Sequence, residues 1–377
     1  MKVRAAVLRE MGRSQPFAQS KPLSIEEVEL ASAGPGEVLI KVAAAGLCHS
    51  DLSVINGDRP RPMPMLLGHE VAGVIEEVGP GVKGFKPGDH VVTAFVPSCG
   101  HCLPCMSGRP ALCEPGAAAN AAGTLISGER RIILSDERVN HHLGVSGFAE
   151  FAVLSTNSIV RIDASLPLDR AALFGCAVMT GVGAVVNTAQ VAMGTTVAVV
   201  GLGGVGLNAV MAARMVGAAE VVAIDLQDNK LRLASDLGAT STVNAGSDDV
   251  VEGVRDLTHG GVDYAFEMAG SVRAMDVAYR ITRRGGTTVS AGLSNPSHDF
   301  SLKHVSLVAE ERCIKGSYVG SCVPLRDIPR FIALHQRGLL PVERLMSGEI
   351  GLEGINAAFD LLAEGQAVRQ ILRPSGT

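Results

Sequence analysis

The stretch Thr196-Val-Ala-Val-Val-Gly-Leu-Gly-Gly-Val-Gly-Leu207 decides the fold of this chain. Its first five residues are typical of a buried strand, and the glycine-rich turn that follows leads into the start of a helix near Gly204. Gly201 suits a tight turn, Gly203 lets the backbone approach a pyrophosphate, and Gly206 allows a helix to pack closely on the strand. Because a helix N-terminus attracts anions through its free N–H groups, the stretch predicts a dinucleotide-binding site.

The next apolar run, Glu220-Val-Val-Ala-Ile-Asp225, ends in an acid about 20 residues after the glycines. A carboxylate at that distance can bind the ribose 2′-hydroxyl of a dinucleotide. Asp225 is followed by Leu226 rather than arginine, which favours NAD over NADP because the carboxylate would repel a 2′-phosphate. A glycine motif alone is weak evidence in a chain with 44 glycines, but the strand, the helix and the acid together make it specific.

From about residue 178 to 320, strand patterns alternate with helical patterns, which is typical of a doubly wound parallel sheet. Helices are predicted over segments such as Asn229–Leu237 and Ala274–Thr282. The predicted strands are 196–200, 220–225, 262–267, 287–292 and 313–318.

The first part of the chain is different, because it is rich in short strands punctuated by proline and glycine. Its first predicted strands are Val3–Leu8, Ser24–Glu29 and Glu37–Ala43. A chain of 377 residues is also long for one core, so we expect two domains in an α/β protein. The predicted boundaries are 1–177 with 321–377 for one domain and 178–320 for the dinucleotide domain.

Composition excludes several functional classes. A formal net charge of −5 without a basic block gives no surface for nucleic acid or an anionic membrane. No window of about 20 residues is continuously apolar, and the N-terminus lacks the apolar core of a secretory signal, so we expect a cytoplasmic protein. Eight cysteines in a large chain of this kind indicate metal binding or catalysis rather than a disulfide framework.

Four cysteines form the pattern C-x2-C-x2-C-x7-C at Cys99, Cys102, Cys105 and Cys113. Four thiolates in fifteen residues can close a tetrahedral site with no open position, which is typical of structural zinc. An iron–sulfur cluster and disulfides remain open as alternatives. His101 is interpreted as a loop residue.

A second group of metal-competent residues is dispersed. It comprises Cys48, His69 and Cys176, found in Gly46-Leu-Cys-His-Ser-Asp51, Leu67-Gly-His-Glu70 and Gly175-Cys176. Two thiolates and one imidazole make a three-ligand site that leaves a position open for water or substrate. Each residue alone is as well explained as buried core, and spacing cannot pair residues this far apart.

Taken together, these motifs resemble the zinc-dependent alcohol dehydrogenases of the medium-chain dehydrogenase/reductase superfamily. The resemblance follows the family order over nearly the whole chain, and the combination of motifs is highly specific. The run of about 35 residues between Cys113 and Phe148 resembles the dimeric class I/class III-like branch, which implies a homodimer. The motifs are Gly68-His69-Glu70-x2-Gly73-x5-Gly79-x2-Val82, the four-cysteine segment, Gly175-Cys176-x3-Thr180-Gly181, the glycine-rich loop and Val368-Arg369.

The resemblance implies a GroES-like, β-rich catalytic domain joined to a Rossmann domain, with two zinc ions and NAD. Cys48, His69 and Cys176 would hold the catalytic zinc, which is the Cys2His donor set known for alcohol dehydrogenases. Cys99, Cys102, Cys105 and Cys113 would hold the structural zinc. Zinc would lower the pKa of a bound alcohol, whose carbon would then deliver hydride to the nicotinamide.

The resemblance also implies roles for residues around these ligands. Asp51 would accept a hydrogen bond from the distal nitrogen of His69, Glu70 would lie just outside the ligand shell, and Ser50 would accept the alcohol proton. Toward the cofactor, Thr180 and Val205 would lie against the nicotinamide, Lys230 near the adenosine ribose, and Arg369 and His49 near the pyrophosphate. The alternatives are a turn residue for Ser50, a solvated helix charge for Lys230 and a surface residue for Arg369.

Departures from the family pattern bear on the substrate. Ser53 stands where some relatives have the histidine that ends a proton relay. Small, mostly uncharged residues follow Cys113 where glutathione-dependent formaldehyde dehydrogenases carry an arginine, and Arg59 stands where they carry an acid. With Ser50, Phe95 and Leu293 as pocket residues, we expect a small primary alcohol, aliphatic or aromatic, as substrate. The alternatives are an S-(hydroxymethyl)glutathione dehydrogenase and a non-catalytic dinucleotide-binding module.

Overall fold

The computed structural model describes residues 1–375, and these residues divide into two compact units. The first comprises Met1–Cys176, Val323–Arg330 and the chain from Glu343 onward, and the second comprises Ala177–Cys322 and Phe331–Val342. The predicted boundaries differ by one or two residues at 177 and at 321–322. They differ more at Phe331–Val342, which the prediction assigns to the first domain and the structure to the second unit.

Eighteen strands lie within the described residues. Numbered in chain order, they are β1 Lys2–Leu8, β2 Leu23–Leu30, β3 Glu37–Gly46, β4 Met65–Leu66, β5 Glu70–Val78, β6 His90–Thr93, β7 Ile132–Leu134, β8 Glu137–His141, β9 Phe151–Ser155, β10 Ile159–Arg161, β11 Thr196–Val200, β12 Glu220–Asp225, β13 Ser241–Asn244, β14 Val262–Glu267, β15 Thr282–Ser290, β16 Cys313–Gly316, β17 Met346–Ile350 and β18 Arg369–Leu372.

The same residues contain thirteen α-helices. They are α1 Phe17–Ser20, α2 His49–Ile55, α3 Leu103–Met106, α4 Glu114–Ala122, α5 Leu168–Ala172, α6 Ala177–Gly183, α7 Gly204–Met215, α8 Asp228–Asp236, α9 Val250–Leu257, α10 Val272–Ile281, α11 His304–Ala309, α12 Pro324–Gln336 and α13 Ile355–Ala363.

The first unit is built from two sheets. Strands β1, β2, β7, β8 and β4 close a small barrel, and the other sheet has the order β10-β6-β5-β3-β18-β17, with β9 paired to β3. Strand β3 is central to this second sheet, and its last residue, Gly46, is the register partner of both Glu70 in β5 and Ile371 in β18. The ends of three strands distant in sequence therefore meet at one point.

The second unit contains a six-stranded sheet of order β13-β12-β11-β14-β15-β16, in which every pair is parallel. Counted from β11, this is the 3-2-1-4-5-6 order of a dinucleotide-binding doubly wound fold. Strand β11 lies at the centre, and Val197, Ala198 and Val199 are fully buried, as expected for a parallel strand covered on both faces. The predicted α/β fold class is confirmed.

Three of the predicted strands in this unit, β11, β12 and β14, have the predicted bounds. Strand β13 was not predicted, because Ser-Thr-Val-Asn is polar and half-exposed at the edge of the sheet. Strand β15 begins at Thr282 rather than at 287, because its first half, Thr-Arg-Arg-Gly-Gly, carries no apolar pattern.

No single helix among the described residues is long and apolar enough to cross a membrane. One bent pair of helical segments, Leu168–Gly175 and Ala177–Ala189, passes that test by length and composition, and its residues are mostly buried within the protein.

Candidate metal centres and dinucleotide loop

Three candidate zinc ligands are positioned by the ends of secondary-structure elements in the first unit. Cys48 lies between the end of β3 and the first turn of α2, and His69 immediately precedes β5. Gly68 has φ +92°, and a Cβ there would lie 2.6 Å from Phe148, so only glycine fits before His69. Cys176 ends the short helical turn Leu173–Gly175.

The structure brings these three residues together with Glu70. The two Sγ atoms, one imidazole nitrogen and one carboxylate oxygen all lie within 4.8 Å of one another, and the four residues are buried. Nε2 of His69 is buried and has no hydrogen-bond partner among the described residues. A buried nitrogen without a hydrogen-bond partner is costly, and a cation that takes its lone pair removes that cost. Together with the two thiols, this nitrogen makes a donor set that fits a tetrahedral zinc ion.

The electrostatics of the two thiols also favour a cation. A hydrogen bond from Cys176 lowers the pKa of Cys48 well below its usual value. The charges of Arg369 and His69 also lower this pKa, whereas burial raises it. The same hydrogen bond, together with burial, raises the pKa of Cys176. One thiolate therefore forms readily, and a divalent cation would displace the proton of the other.

Asp51 orients the imidazole of His69. Nδ1 of His69 lies 3.1 Å from Oδ2 and 3.2 Å from Oδ1 of Asp51, and the Gly68 N–H donates to Oδ1 at 3.0 Å. Burial opposes ionisation of this fully buried carboxyl, but the charge of His69 and hydrogen bonds from both His142 and His69 lower the pKa of Asp51 to about 2. An ionised Asp51 requires the proton of His69 on Nδ1, which leaves Nε2 free for a metal.

Two neighbours in β6 and the loop after it fix the rest of His69. The hydroxyl of Thr93 donates to the His69 carbonyl at 3.1 Å and accepts from the Val71 N–H at 3.0 Å. The ring of Phe95 packs edge-on against the imidazole, with centroids 5.1 Å apart. Both backbone and ring of His69 are therefore held by buried partners.

Glu70 is paired with Arg369 rather than with solvent. Nη1 of Arg369 lies 3.1 Å from Oε1 of Glu70 and donates to the Leu47 carbonyl at 2.9 Å. Burial raises the pKa of Glu70 to about 8, although the guanidinium opposes the rise. Arg369 is 3% exposed, so the alternative of a surface arginine is wrong, and its role toward a pyrophosphate stays a prediction.

The four-cysteine segment forms a second cluster. The Sγ atoms of Cys99, Cys102, Cys105 and Cys113 lie within 4.8 Å of one another, and all eight cysteines of the chain are free thiols. Backbone N–H groups of Cys99 and Gly116 donate to Sγ of Cys113 at 3.2 and 3.4 Å. In a tetrahedral zinc site with Zn–S bonds of about 2.3 Å the sulfurs are about 3.8 Å apart, which this cluster accommodates. His101 is exposed and outside the cluster.

The glycine-rich loop of the second unit has the features that a pyrophosphate requires. Gly201 has φ +94°, and a Cβ there would lie 2.6 Å from the Ala269 backbone, while a Cβ on Gly206 would lie 1.8 Å from the Gly201 carbonyl oxygen. A Cβ on Gly203, by contrast, would meet no atom within 4 Å. Gly203 immediately precedes α7, so an open space lies beside the N-terminus of a twelve-residue helix.

Asp225 ends β12 next to this loop. Its carboxylate accepts from the N–H of Leu202 at 2.7 Å and from that of Gln227 at 3.0 Å. These bonds fix the side chain against the glycine-rich turn, where a ribose would lie in a dinucleotide site.

The structure assigns the other predicted residues to different surroundings. His49 is exposed and Ser50 half-buried in the first turn of α2, and Leu293, which is predicted to line an apolar pocket, is 53% exposed. Leu293 follows the end of β15 in a loop, where an apolar residue need not be buried. In the second unit, Thr180 in α6 is buried, whereas Val205 in α7 and Lys230 in α8 are half-buried.

Sequence reasoning missed two residues of the first metal centre, Thr93 and His142. Both act through contacts made by folding, and neither stands in a recognisable motif. The adjacent pair His141-His142 was a visible signal, but nothing in its spacing links it to Asp51.

Two family profiles match the chain. The profile "Alcohol dehydrogenase GroES-like domain" matches residues 34–164, and the profile "Zinc-binding dehydrogenase" matches residues 204–337. Together they span parts of both units, in the order that the sequence motifs indicate.

Relatives extend the match to nearly the whole chain. Alcohol dehydrogenase class-3 of Drosophila melanogaster is 37% identical over 359 residues, which are 94% of each protein. The crystal structure of an alcohol dehydrogenase zinc-binding domain protein from Burkholderia ambifaria is similar, with 36% identity, a TM-score of 0.93 and 99% of each chain covered. Benzyl alcohol dehydrogenase from Acinetobacter calcoaceticus is 30% identical, with a TM-score of 0.92 and the same coverage.

Proposed function

The chain belongs to the zinc-dependent alcohol dehydrogenases of the medium-chain dehydrogenase/reductase superfamily, and on that basis we propose that it interconverts a primary alcohol and its aldehyde with NAD. One observation carries the proposal: the buried, unpartnered Nε2 of His69 faces Cys48 and Cys176. A three-residue donor set of this kind leaves a coordination position for substrate, which a purely structural site does not need.

Cys48, His69 and Cys176 hold the catalytic zinc, and the four-cysteine cluster holds the structural zinc. Zinc at the first centre supplies a Lewis acid that lowers the pKa of an alcohol hydroxyl. Asp51 keeps the His69 proton on Nδ1, and the positive charge of Arg369, which lies beside Glu70, favours the thiolate of Cys48. Ser50, in the first turn of α2, accepts the proton that the alcohol releases.

NAD binds at the glycine-rich loop of the second unit. The bound nicotinamide supplies the hydride acceptor. The open space at Gly203 and the N–H groups of Gly204 and Val205 at the start of α7 receive the pyrophosphate, and Asp225 binds the adenosine ribose. Thr180 and Val205 contact the nicotinamide, Lys230 the ribose, and His49 with Arg369 the pyrophosphate.

The substrate is a small primary alcohol, aliphatic or aromatic. Phe95 is 7% exposed and packs its edge on His69, so an aromatic wall lies directly beside the metal ligands. The similarity to a benzyl alcohol dehydrogenase supports the aromatic end of this range. An apolar wall of this kind favours a substrate without charge near its hydroxyl.

S-(hydroxymethyl)glutathione is the second candidate, because the Drosophila relative is a class-3 alcohol dehydrogenase. The segment after Cys113 argues against it. That segment forms α4, Glu114–Ala122, whose sequence Glu-Pro-Gly-Ala-Ala-Ala-Asn-Ala-Ala has no arginine to hold a glutathione carboxylate.

We also propose a homodimer. Val305 and Val308 share one face of α11 and are 69% and 63% exposed, and β16 is an edge strand of the parallel sheet. Exposed valines beside an unpaired strand edge favour a second copy of the chain as the covering partner.

The test is zinc content together with NADH absorbance during turnover of an alcohol panel, with and without glutathione. Two zinc ions per chain and turnover of free alcohols are expected, and Cys48→Ala should lose one zinc and the turnover while keeping the structural zinc. Turnover of formaldehyde only with glutathione would replace the substrate proposal. One zinc, NAD binding and no turnover would indicate the non-catalytic module instead.

A further inference from the structure

Asp51 faces a second imidazole besides that of His69. Nδ1 of His142 lies 3.1 Å from Asp51 Oδ1, the same oxygen that accepts the Gly68 N–H. The ring of His142 also packs edge-on against the ring of His69, with centroids 5.6 Å apart. Both imidazoles and the carboxylate are at least 98% buried, so solvent does not compete for these contacts.

The Asp51 carboxylate indicates which nitrogen of each imidazole carries a proton. The oxygens of a carboxylate accept hydrogen bonds, so an imidazole nitrogen that faces Asp51 at 3.1 Å is positioned to donate to it. Nδ1 of His142 has no hydrogen bond of good geometry within the described part of the chain, and the Asp51 carboxylate, 3.1 Å away, is the anion that faces it. Removing Asp51 would therefore take the facing carboxylate away from Nδ1 of both buried imidazoles.

We propose that His142 is a positioning residue of the catalytic zinc site, which holds the Asp51 carboxylate in the orientation that aims His69 at the metal. This inference rests on the proposed function, because it assumes that zinc binds at Cys48, His69 and Cys176. It assigns His142 no contact with substrate, cofactor or metal.

The arrangement explains why a third donor matters. The Gly68 N–H and Nδ1 of His69 both bond to Oδ1 of Asp51. Oδ2 has no hydrogen bond among the described residues, although Nδ1 of His69 lies 3.1 Å from it. His142 is the third nitrogen close to Oδ1, so without it two donors hold the carboxylate, which can then shift, and the direction of the His69 hydrogen bond follows that movement. A ligand whose outer partner is loose binds its metal less tightly.

The test uses His142→Phe, which keeps a buried aromatic ring but cannot donate a hydrogen bond. We expect zinc at the catalytic site to be lost to a chelator about tenfold faster, the lower end of the effect of outer-shell partners. The visible bands of the cobalt-substituted site should shift, because the geometry of a ligand changes. The four-cysteine site serves as an internal reference and should lose its metal at the wild-type rate.

Two further variants separate positioning from packing. His142→Asn places an amide nitrogen near the position of Nδ1 and should restore most of the metal retention. His141→Phe removes the neighbouring buried imidazole, which accepts from the Arg131 N–H at 3.1 Å, and should lower thermal stability without moving the cobalt bands.

Wild-type metal retention and unchanged bands in His142→Phe would overturn this inference alone. Equal effects of His142→Phe and His141→Phe would also overturn it, because loss of packing would then suffice. Absence of zinc from the catalytic site of the wild-type protein would overturn the proposed function and this inference with it.

Discussion

At the scale of single residues, we expect Asp225 to determine which dinucleotide the chain prefers. Asp225→Asn keeps the size and part of the hydrogen bonding to Leu202 and Gln227 but removes the charge. A hydrogen bond to a charged group contributes about 1.5–3 kcal/mol, so we expect NADH affinity to fall at least about tenfold. NADPH affinity should fall less or rise, because the repulsion of a 2′-phosphate is removed.

Fluorescence titration with NADH and NADPH measures both affinities. Asp228→Asn is the matched control, because Asp228 is an exposed acid of α8 that accepts from Asn244 at 2.8 Å. The control should leave both affinities unchanged. An equal loss of NADH and NADPH affinity in Asp225→Asn would contradict the assignment of Asp225 to the 2′-hydroxyl.

We expect a second residue, His141, to make the fold sensitive to acid. Burial lowers the pKa of His141 to about 3, and the charges of Arg130 and Arg131 act in the same direction. Its ordinary pKa is 6.5, so the unfolded chain binds the proton more tightly than the folded chain. The stability contributed by the neutral, buried ring is therefore complete above pH 6.5 and is lost as the pH falls toward 3.

Between pH 7 and pH 5 this single group should lower the free energy of unfolding by about 2 kcal/mol. Thermal midpoints at the two pH values, compared between the wild-type protein and His141→Gln, measure the effect. Glutamine can still accept from the Arg131 N–H but does not titrate, so its midpoint should fall less on acidification. Equal falls in both proteins would exclude His141 as the cause.

The sequence indicates candidate site residues where a motif carries the chemistry, and it gives no signal where a residue's partner is brought near by folding. Cys48, His69 and Cys176 were chosen through family motifs, and the structure brings them together. The pairing of Arg369 with Glu70 depends on β18 and β5 meeting at the end of β3, which no local pattern encodes. The contact of His142 with Asp51 has the same origin.

At the scale of elements, two glycines of the strand–loop–helix unit β11–α7, Gly206 and Gly203, are expected to have different functions. A methyl group on Gly206 would lie 1.8 Å from the Gly201 carbonyl oxygen, whereas one on Gly203 would meet no protein atom within 4 Å. Gly206→Ala should therefore destabilise the protein by about 1–3 kcal/mol through overpacking. Gly203→Ala should fold normally yet bind NADH at least about tenfold more weakly, because its methyl group occupies the space for the pyrophosphate.

Thermal unfolding and NADH titration of the two variants distinguish these roles. Gly253→Ala in α9 is the control, because a Cβ there also meets no atom within 4 Å and lies away from the loop. It should keep its NADH affinity and be at least as stable as the wild-type protein, because alanine is favoured over glycine within a helix. Normal NADH binding by Gly203→Ala would mean that the pyrophosphate does not approach this backbone.

The limits of a strand could be predicted from the sequence best where the strand is deeply buried. Strands β11, β12 and β14 are apolar runs covered on both faces, so hydrophobic pattern alone sets their limits. Strand β13 and the first half of β15 are polar, and pairing with a neighbouring strand decides their conformation. Pairing depends on tertiary structure, which single-sequence patterns do not describe.

At the scale of the whole molecule, the division into units shows a similar limit of sequence-based prediction. Sequence composition distinguishes the β-rich beginning from the α/β middle, but α12 spans Pro324–Gln336 while the units divide at residues 330 and 331. A helical pattern is continuous across that point, so its sequence carries no boundary signal.

At the same scale, we expect two copies of the chain to form a homodimer. The wild-type protein should have about twice the 39.0 kDa mass of one chain in light scattering after gel filtration. Val308→Glu puts a charge on the exposed face of α11 and should yield a folded monomer, because a buried unpaired charge is costly in an interface. Leu325→Glu is the matched control: Leu325 in α12 is 71% exposed, so a charge there should leave the mass unchanged. A Val308→Glu protein that stays dimeric would place the interface elsewhere, and a monomeric wild-type protein would mean that the two valines and the edge of β16 remain uncovered.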